Sequence, residues 1–163
     1  MSCKAFLTTS ACPSPYVHVA SGILIVMKEA DSSREIALYV KAAREALAAA
    51  QVNLDAGFYR VAAGRMYYAA FYSVTALLKT KGLSFSKHTA VLSAFRRYFI
   101  KTGVFRTAYS NLYKRLFDLR QASDYDVLTA VDEDEVKKRF AETVAFVDEI
   151  ETWLRQHNFL PKS

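Results

Sequence analysis

The chain has 163 residues, of which 52% are hydrophobic, with five glycines and three prolines. That is long enough to bury a core within one domain, and the composition excludes a disordered or collagen-like chain. The net charge of +6 is unevenly spread: residues 79–120 carry ten basic side chains and one acidic, whereas 121–163 carry five basic and ten acidic. A middle segment this basic can attract phosphates; it can equally be a solvated face balanced by an acidic neighbouring helix or a partner. Cys3 and Cys12 lack metal-site spacing and form no disulfide framework, so a reducing cytoplasm is expected.

Residues 1–27 read differently from the rest. They hold both cysteines and two of the three prolines, with an apolar run from Val17 to Met27 after Lys4. A signal peptide would carry such a run, but the basic start is thin and the charged Lys28-Glu29-Ala30-Asp31 follows in place of a small-residue cleavage site. The expected organisation is a disordered extension over 1–27, outside the fold and consistent with translation assigned too far upstream, and a helical domain over 28–163.

Ser32, followed three residues on by Glu35, has the pattern of a capping box, which predicts a first helix from Ser32. Ile36, Val40, Ala43, Leu47, Ala50 and Leu54 then recur at helical steps up to Gly57. The second helix, Phe58 to Lys81, is apolar on nearly every side, with Arg60 and Arg65 the only charges between Phe58 and Leu78. A helix apolar all round belongs at the centre of a bundle; the arginines and tyrosines argue against a membrane span. Gly82 stands at its C-cap position. Ser86 is placed to cap a third helix over Lys87–Thr102, closed by Gly103, and a fourth runs from Arg106 to Ser123. Asp132 is placed to cap a fifth, whose acidic first turn suits the positive end of the helix dipole and which reaches His157. No strand pattern competes. The fold class predicted is all-α, an up-and-down antiparallel bundle of four to five helices.

No phosphate-binding glycine loop, zinc-protease motif, paired cysteines or nucleophile elbow is present, and neither a metal nor a cofactor is expected. Arg65 lies within the central helix and needs an acidic or carbonyl partner there, unless it contacts a phosphate or carboxylate. Arg120 lies one turn beyond Leu116, beside the acidic turn Asp124-Tyr125-Asp126. His88, at a helix start, reads as a surface or capping residue or as a functional contact. Tyrosines interleaved with basic residues can stack on bases, although at helical spacing they more often fill a core.

Three segments together carry a resemblance: Ala62–Gly82 (AAGRMYYAAFYSVTALLKTKG), Ser86–Gly103 (SKHTAVLSAFRRYFIKTG) and Leu112–Asp126 (LYKRLFDLRQASDYD). They resemble the HEPN domain family, the helical domain often encoded beside a minimal nucleotidyltransferase. The resemblance implies a four- or five-helix bundle, a homodimer, and one half of a toxin–antitoxin-type pair with a nucleotidyltransferase protein. Toxic members are similar to metal-independent ribonucleases with an Arg-x4-6-His motif. Arg120 matches the arginine, but the histidine positions hold Tyr125, Asp126 and Val127. Tyrosine, with an unperturbed pKa of about 10, is a poor base at neutral pH. The resemblance also makes Tyr125 the residue that a nucleotidyltransferase partner would modify.

The reading that follows is a non-catalytic module that binds nucleotide or RNA through Arg120, Asp124, Tyr125, Arg65 and His88 and pairs with a protein partner, away from any membrane. The alternative is a metal-independent ribonuclease toxin with a departed motif, in which Arg120 and Tyr125 are catalytic and His88 supplies the missing imidazole if it folds beside Arg120.

Overall fold

The computed structural model describes residues 17–125 and 132–161, with side-chain surroundings given for 32–123 and 132–161. Met1–Asp31 and Ser32–Ser163 form separate units. The second unit is the bundle. Among the described residues there are five α-helices and no strand: α1 (Val17–Asp55), α2 (Tyr59–Lys79), α3 (His88–Phe95), α4 (Thr107–Tyr125) and α5 (Glu133–Gln156), with a π-helical segment, Arg96–Ile100, continuing α3.

Side-chain contacts fix the directions. Glu35 near the start of the bundle part of α1 pairs with Lys79 at the end of α2, at 2.6 Å. Arg60 at the start of α2 donates to the carbonyl of Ser123 near the end of α4, at 3.1 Å. Arg106, just ahead of α4, meets Glu149 on the last turns of α5. Start-to-end pairing of this kind makes consecutive long helices antiparallel, as an up-and-down bundle requires.

The all-round apolar character of α2 has the expected consequence. It packs against α3, α4 and α5 and, through Tyr72 against Tyr39, on α1. Ala62, Ala63, Ala69, Ala70 and Ala76 are wholly buried; their small side chains let neighbouring helices approach closely. The α1 stripe Ile36, Val40, Ala43, Leu47, Ala50 and Leu54 is buried throughout. Phe95, Phe99, Phe105, Phe146 and Tyr109 form an aromatic cluster joining the α3 and α4 regions to α5.

The helix ends follow local chemistry. Gly57 and Gly82 take positive φ, and each closes a pair of reversed hydrogen bonds: Phe58 N to Asn53 O with Gly57 N to Leu54 O, and Leu83 N to Leu78 O with Gly82 N to Lys79 O. This is the Schellman pattern. Asn158, also at positive φ, closes α5 in the same way. Asp132 caps α5 as the sequence suggests, its carboxylate accepting from the backbone of Asp134 at 2.9 Å and Glu135 at 3.2 Å.

Three boundaries differ from the sequence reading. Ser32 lies inside α1, which begins at Val17; a capping-box pattern also fits the exposed face of a continuing helix. Ser86 does not cap α3: the helix starts at His88, with Lys87 at the cap position and no side-chain cap bond. The third helix is α-helical only to Phe95, then widens so that Lys101 N bonds Arg96 O at 2.9 Å. The widening, which periodicity alone does not show, accompanies the burial of both Phe95 and Phe99. Asp126–Val131 lie outside the described residues.

Candidate functional site: a tyrosine-lined arginine cleft

Tyr67 and Tyr68 are successive on α2, so their side chains leave the helix about 100° apart. Tyr67 is wholly buried, while Tyr68 is half-buried. On α4, Tyr113, Phe117 and Arg120 follow at steps of four and three and share one face. Tyr113 and Phe117 pack edge-on against the Tyr67 ring, at 5.9 and 5.6 Å between centroids. Arg120, one turn further, places its guanidinium carbon 5.7 Å from the centroids of both Tyr67 and Tyr68, within cation–π range.

His88 opens α3 and joins this cluster. Its Nδ1 lies 2.6 Å from the Tyr67 hydroxyl oxygen, and its ring lies 4.5 Å from that of Phe71 and 6.5 Å from that of Tyr68. His88 and Arg120 thus meet the same two tyrosines. Burial and the Arg120 charge hold the His88 imidazole below its ordinary value of 6.5, so it is neutral at physiological pH. Burial pushes the Tyr67 hydroxyl up, against the nearby Tyr113 hydroxyl and the Arg120 charge. Burial and the adjacent Tyr67 push Tyr113 up as well.

Arg120 also lines a cleft of about 250 Å³ with Arg60, Arg65, Gly64 and Tyr68. Arg60, Gly64 and Tyr68 recur every four residues and so line up along α2. A Cβ built on Gly64 would meet nothing within 4 Å; the missing side chain leaves the cleft open between the arginines. Arg65 is exposed, and no ion pair holds it among the described residues. The partner it was expected to need as a central-helix residue is therefore unnecessary, because it faces water. A narrower groove of about 200 Å³, between α3 and α4, is lined by His88, Arg96, Tyr113 and Lys114. A larger cleft of about 350 Å³ lies between α4 and α5, but Arg139 there is paired with both Glu135 and Glu142 and Arg106 with Glu149, so much of its positive charge is neutralised.

The structure thus brings together three of the sequence-selected residues, with Arg65 and Arg120 in one cleft and His88 against the tyrosines that Arg120 also touches. α4 extends through Tyr125, but the side chains of Asp124 and Tyr125 lie outside the described set. Sequence reasoning missed Arg60, although its four-residue spacing to Gly64 and Tyr68 is a readable signal. It also missed the pairing of Tyr67 with His88, for which no local signal exists. Among the described residues, no group of three or more His, Cys, Asp or Glu side chains is placed to hold a metal ion. No described helix is long and apolar enough to cross a membrane.

The HEPN domain family model matches residues 36–156, from the first buried residue of the α1 stripe to the end of α5. The chain belongs to the HEPN domain family. The UPF0332 protein of Thermotoga maritima is 40% identical over 121 residues, covering 74% of this chain and 92% of its own. Two Methanocaldococcus jannaschii proteins named as candidate toxins are also similar. One is 34% identical over 77% of this chain and 93% of its own length; the other is 30% identical over 78% and 86%. The region matched by the family model includes α2, α3 and α4, the helices that carry the tyrosine cluster and the arginine cleft.

Proposed function

We propose that this HEPN domain is an RNA- or nucleotide-binding module and one half of a toxin–antitoxin-type pair, its partner a nucleotidyltransferase protein and its working form a homodimer. The single observation that supports the binding most strongly is the convergence of Arg60, Arg65 and Arg120 on one cleft edged by Tyr68. Guanidinium groups bind phosphate oxygens through forked, charge-assisted hydrogen bonds. An aromatic edge beside them offers a stacking surface for an unpaired base. The toxin-type role is supported by the names of the two archaeal relatives and by the family membership.

The test is a gel-shift titration with labelled single-stranded RNA in EDTA, beside Arg120→Ala and Arg65→Ala. Binding weakened in both variants, and competed by excess mononucleotide, supports the module. Equal binding by wild type and both variants rejects the cleft as the site. Coexpression with a minimal nucleotidyltransferase, followed by size-exclusion chromatography, tests the pairing; separate elution of the two proteins counts against it.

A second reading, a metal-independent ribonuclease, is favoured by one observation: an imidazole held neutral stands against the tyrosines shared with Arg120.

A further inference from the structure

We infer that the ligand of this domain is a single-stranded segment of about four nucleotides in preference to a mononucleotide, its bases stacked along a row of three tyrosines, Tyr68, Tyr72 and Tyr39, that leads away from the arginine cleft. The inference rests on the RNA-binding reading above and names the form of ligand that reading takes.

From Arg65 onward, α2 leaves one face unburied. Arg65, Tyr68, Tyr72, Thr75 and Lys79 follow at steps of three and four along it. None of the five is buried, whereas the positions between them, Phe71 apart, are. The open face of a bundle helix ordinarily carries charged and polar side chains. This one carries two aromatic rings between two cations, on a helix that holds no acidic residue.

The rings form a continuous row. Tyr68 and Tyr72 lie 6.0 Å apart between centroids with their planes 30° apart. Tyr39 of α1 extends the row, 6.4 Å from Tyr72 and tilted by 38°. Tyr67 meets Tyr68 edge-on at 5.5 Å, and Phe71 meets Tyr72 edge-on at 5.7 Å. All three outer tyrosines are half-buried and pack against the core. Little side-chain ordering is therefore left for a ligand to impose. Every base has a π-face, so a row of fixed rings accepts successive bases with little regard to sequence. A mononucleotide reaches only one ring.

The two ends of the row differ. At one, Arg65 and Arg120 share the cleft with Tyr68, and the Arg120 guanidinium carbon lies 5.7 Å from the Tyr68 ring centroid. A phosphate anchored there has its neighbouring bases beside the row. At the other, Lys79 Nζ lies 6.0 Å from the Tyr39 ring centroid but is paired with Glu35 at 2.6 Å. That carboxylate is half-exposed and repels a further phosphate, so the row ends at Tyr39. One anchored phosphate and three rings set the length of the strand engaged.

The experiment measures fluorescence anisotropy of labelled oligouridylates of one, two, four and eight residues in EDTA. Their 2′-fluoro sugars prevent cleavage through a 2′-hydroxyl. The proteins are wild type, Arg120→Ala, Tyr72→Leu, Tyr39→Leu and Tyr72→Phe. Each added stacked base is worth about tenfold, so wild-type affinity is expected to rise about 100-fold from one residue to four. From four to eight it is expected to rise less than about fivefold, the gain from alternative registers on a row of this length. Tyr72→Leu and Tyr39→Leu keep apolar bulk without a flat ring. Each is expected to weaken four-residue binding about tenfold and to leave mononucleotide binding within about twofold, which separates lost stacking from lost fold. Tyr72→Phe keeps the ring and is expected to match wild type. Mononucleotide affinity within fivefold of the four-residue strand in wild type overturns the row. Four-residue binding that Arg120→Ala weakens but both Leu variants leave within twofold also overturns it, and the arginine cleft then stands alone. Binding indifferent to Arg120 removes the cleft reading itself.

Discussion

The Tyr67 hydroxyl lies 2.6 Å from His88 Nδ1, although 21 residues separate the two in the chain. One sits in the wholly buried middle of α2, the other at the first turn of α3. The bond therefore ties the half-buried imidazole to the buried core of the bundle.

The titration of His88 tests the electrostatics directly. Its folded value lies below 6.5, through burial and the Arg120 charge. Arg120→Gln removes that charge and should move the value upward, as read from the ring-proton shifts in an NMR titration. The sign for stability follows. A histidine depressed in the folded state binds its proton more readily when unfolded, so folding weakens as pH falls through the window just below 6.5. His88→Gln should flatten that part of the pH–stability curve in urea melts.

Gly64 offers a separation of stability from binding. It is a helical glycine with ordinary φ and open space where a Cβ would stand. Gly64→Ala should stabilise the bundle by about 0.5–1 kcal/mol through helix propensity alone. Gly64→Leu should project into the arginine cleft and weaken RNA binding several-fold. Chemical denaturation and gel-shift titration, run on both variants, check the pair of outcomes.

Salt dependence counts the phosphates engaged. Each phosphate neutralised on a single strand contributes a slope of about −0.7 in log K against log salt. Arg120→Ala and Arg65→Ala should each reduce the magnitude of the slope by about that amount, while Lys41→Ala, paired with Glu45 on exposed α1 surface, should leave it unchanged. Titrations at several salt concentrations decide this.

Acid stability should depend on Glu151. Burial acts to raise its carboxyl, but hydrogen bonds from Arg155 and Arg44 prevail and hold it below the usual range. A depressed carboxylate stabilises above its unfolded value and loses that contribution as pH falls through about 4.5 and below. Glu151→Gln should cost about 1 kcal/mol at neutral pH, an estimate for a charge-assisted hydrogen bond discounted for the half-exposed Arg44. The gap from wild type should close in acid, as thermal melts at neutral pH and below pH 4 would show.

Replacing the C-terminal glycine of α2 isolates backbone geometry. Gly82 has φ +68° with nothing within 4 Å of an added Cβ. Gly82→Ala should therefore cost about 1 kcal/mol from the left-handed conformation alone, measurable as a lowered urea midpoint with an unchanged slope.

Much of the fold was legible because it is dictated locally. A helix apolar on every side has to be central, and α2 is. Gly57 and Gly82 end helices because glycine adopts the required left-handed φ without strain, and Asp132 caps α5 because its carboxylate reaches two free backbone amides. The α1 stripe from Ile36 to Leu54 reads directly from its spacing. The start of α1 and the widened end of α3 were not legible, since a capping pattern and a helical period are each satisfied by more than one backbone path.

The site divides along the same line. Arg120 and Arg65 could be selected from the sequence, because a charge on or beside an apolar helix face is conspicuous. What they do depends on neighbours supplied by other helices. Packing of α2 against α4 sets Arg120 over two tyrosines from a helix more than fifty residues upstream in the chain. The turn into α3 sets His88 on the hydroxyl of one of them. Sequence determined the bundle, its central helix and a store of positive charge, since periodicity and capping act over a few residues. Only tertiary structure decided which cations share a cleft and which imidazole stands beside them, because those distances are set by helix packing between segments that carry no mutual signal in the chain.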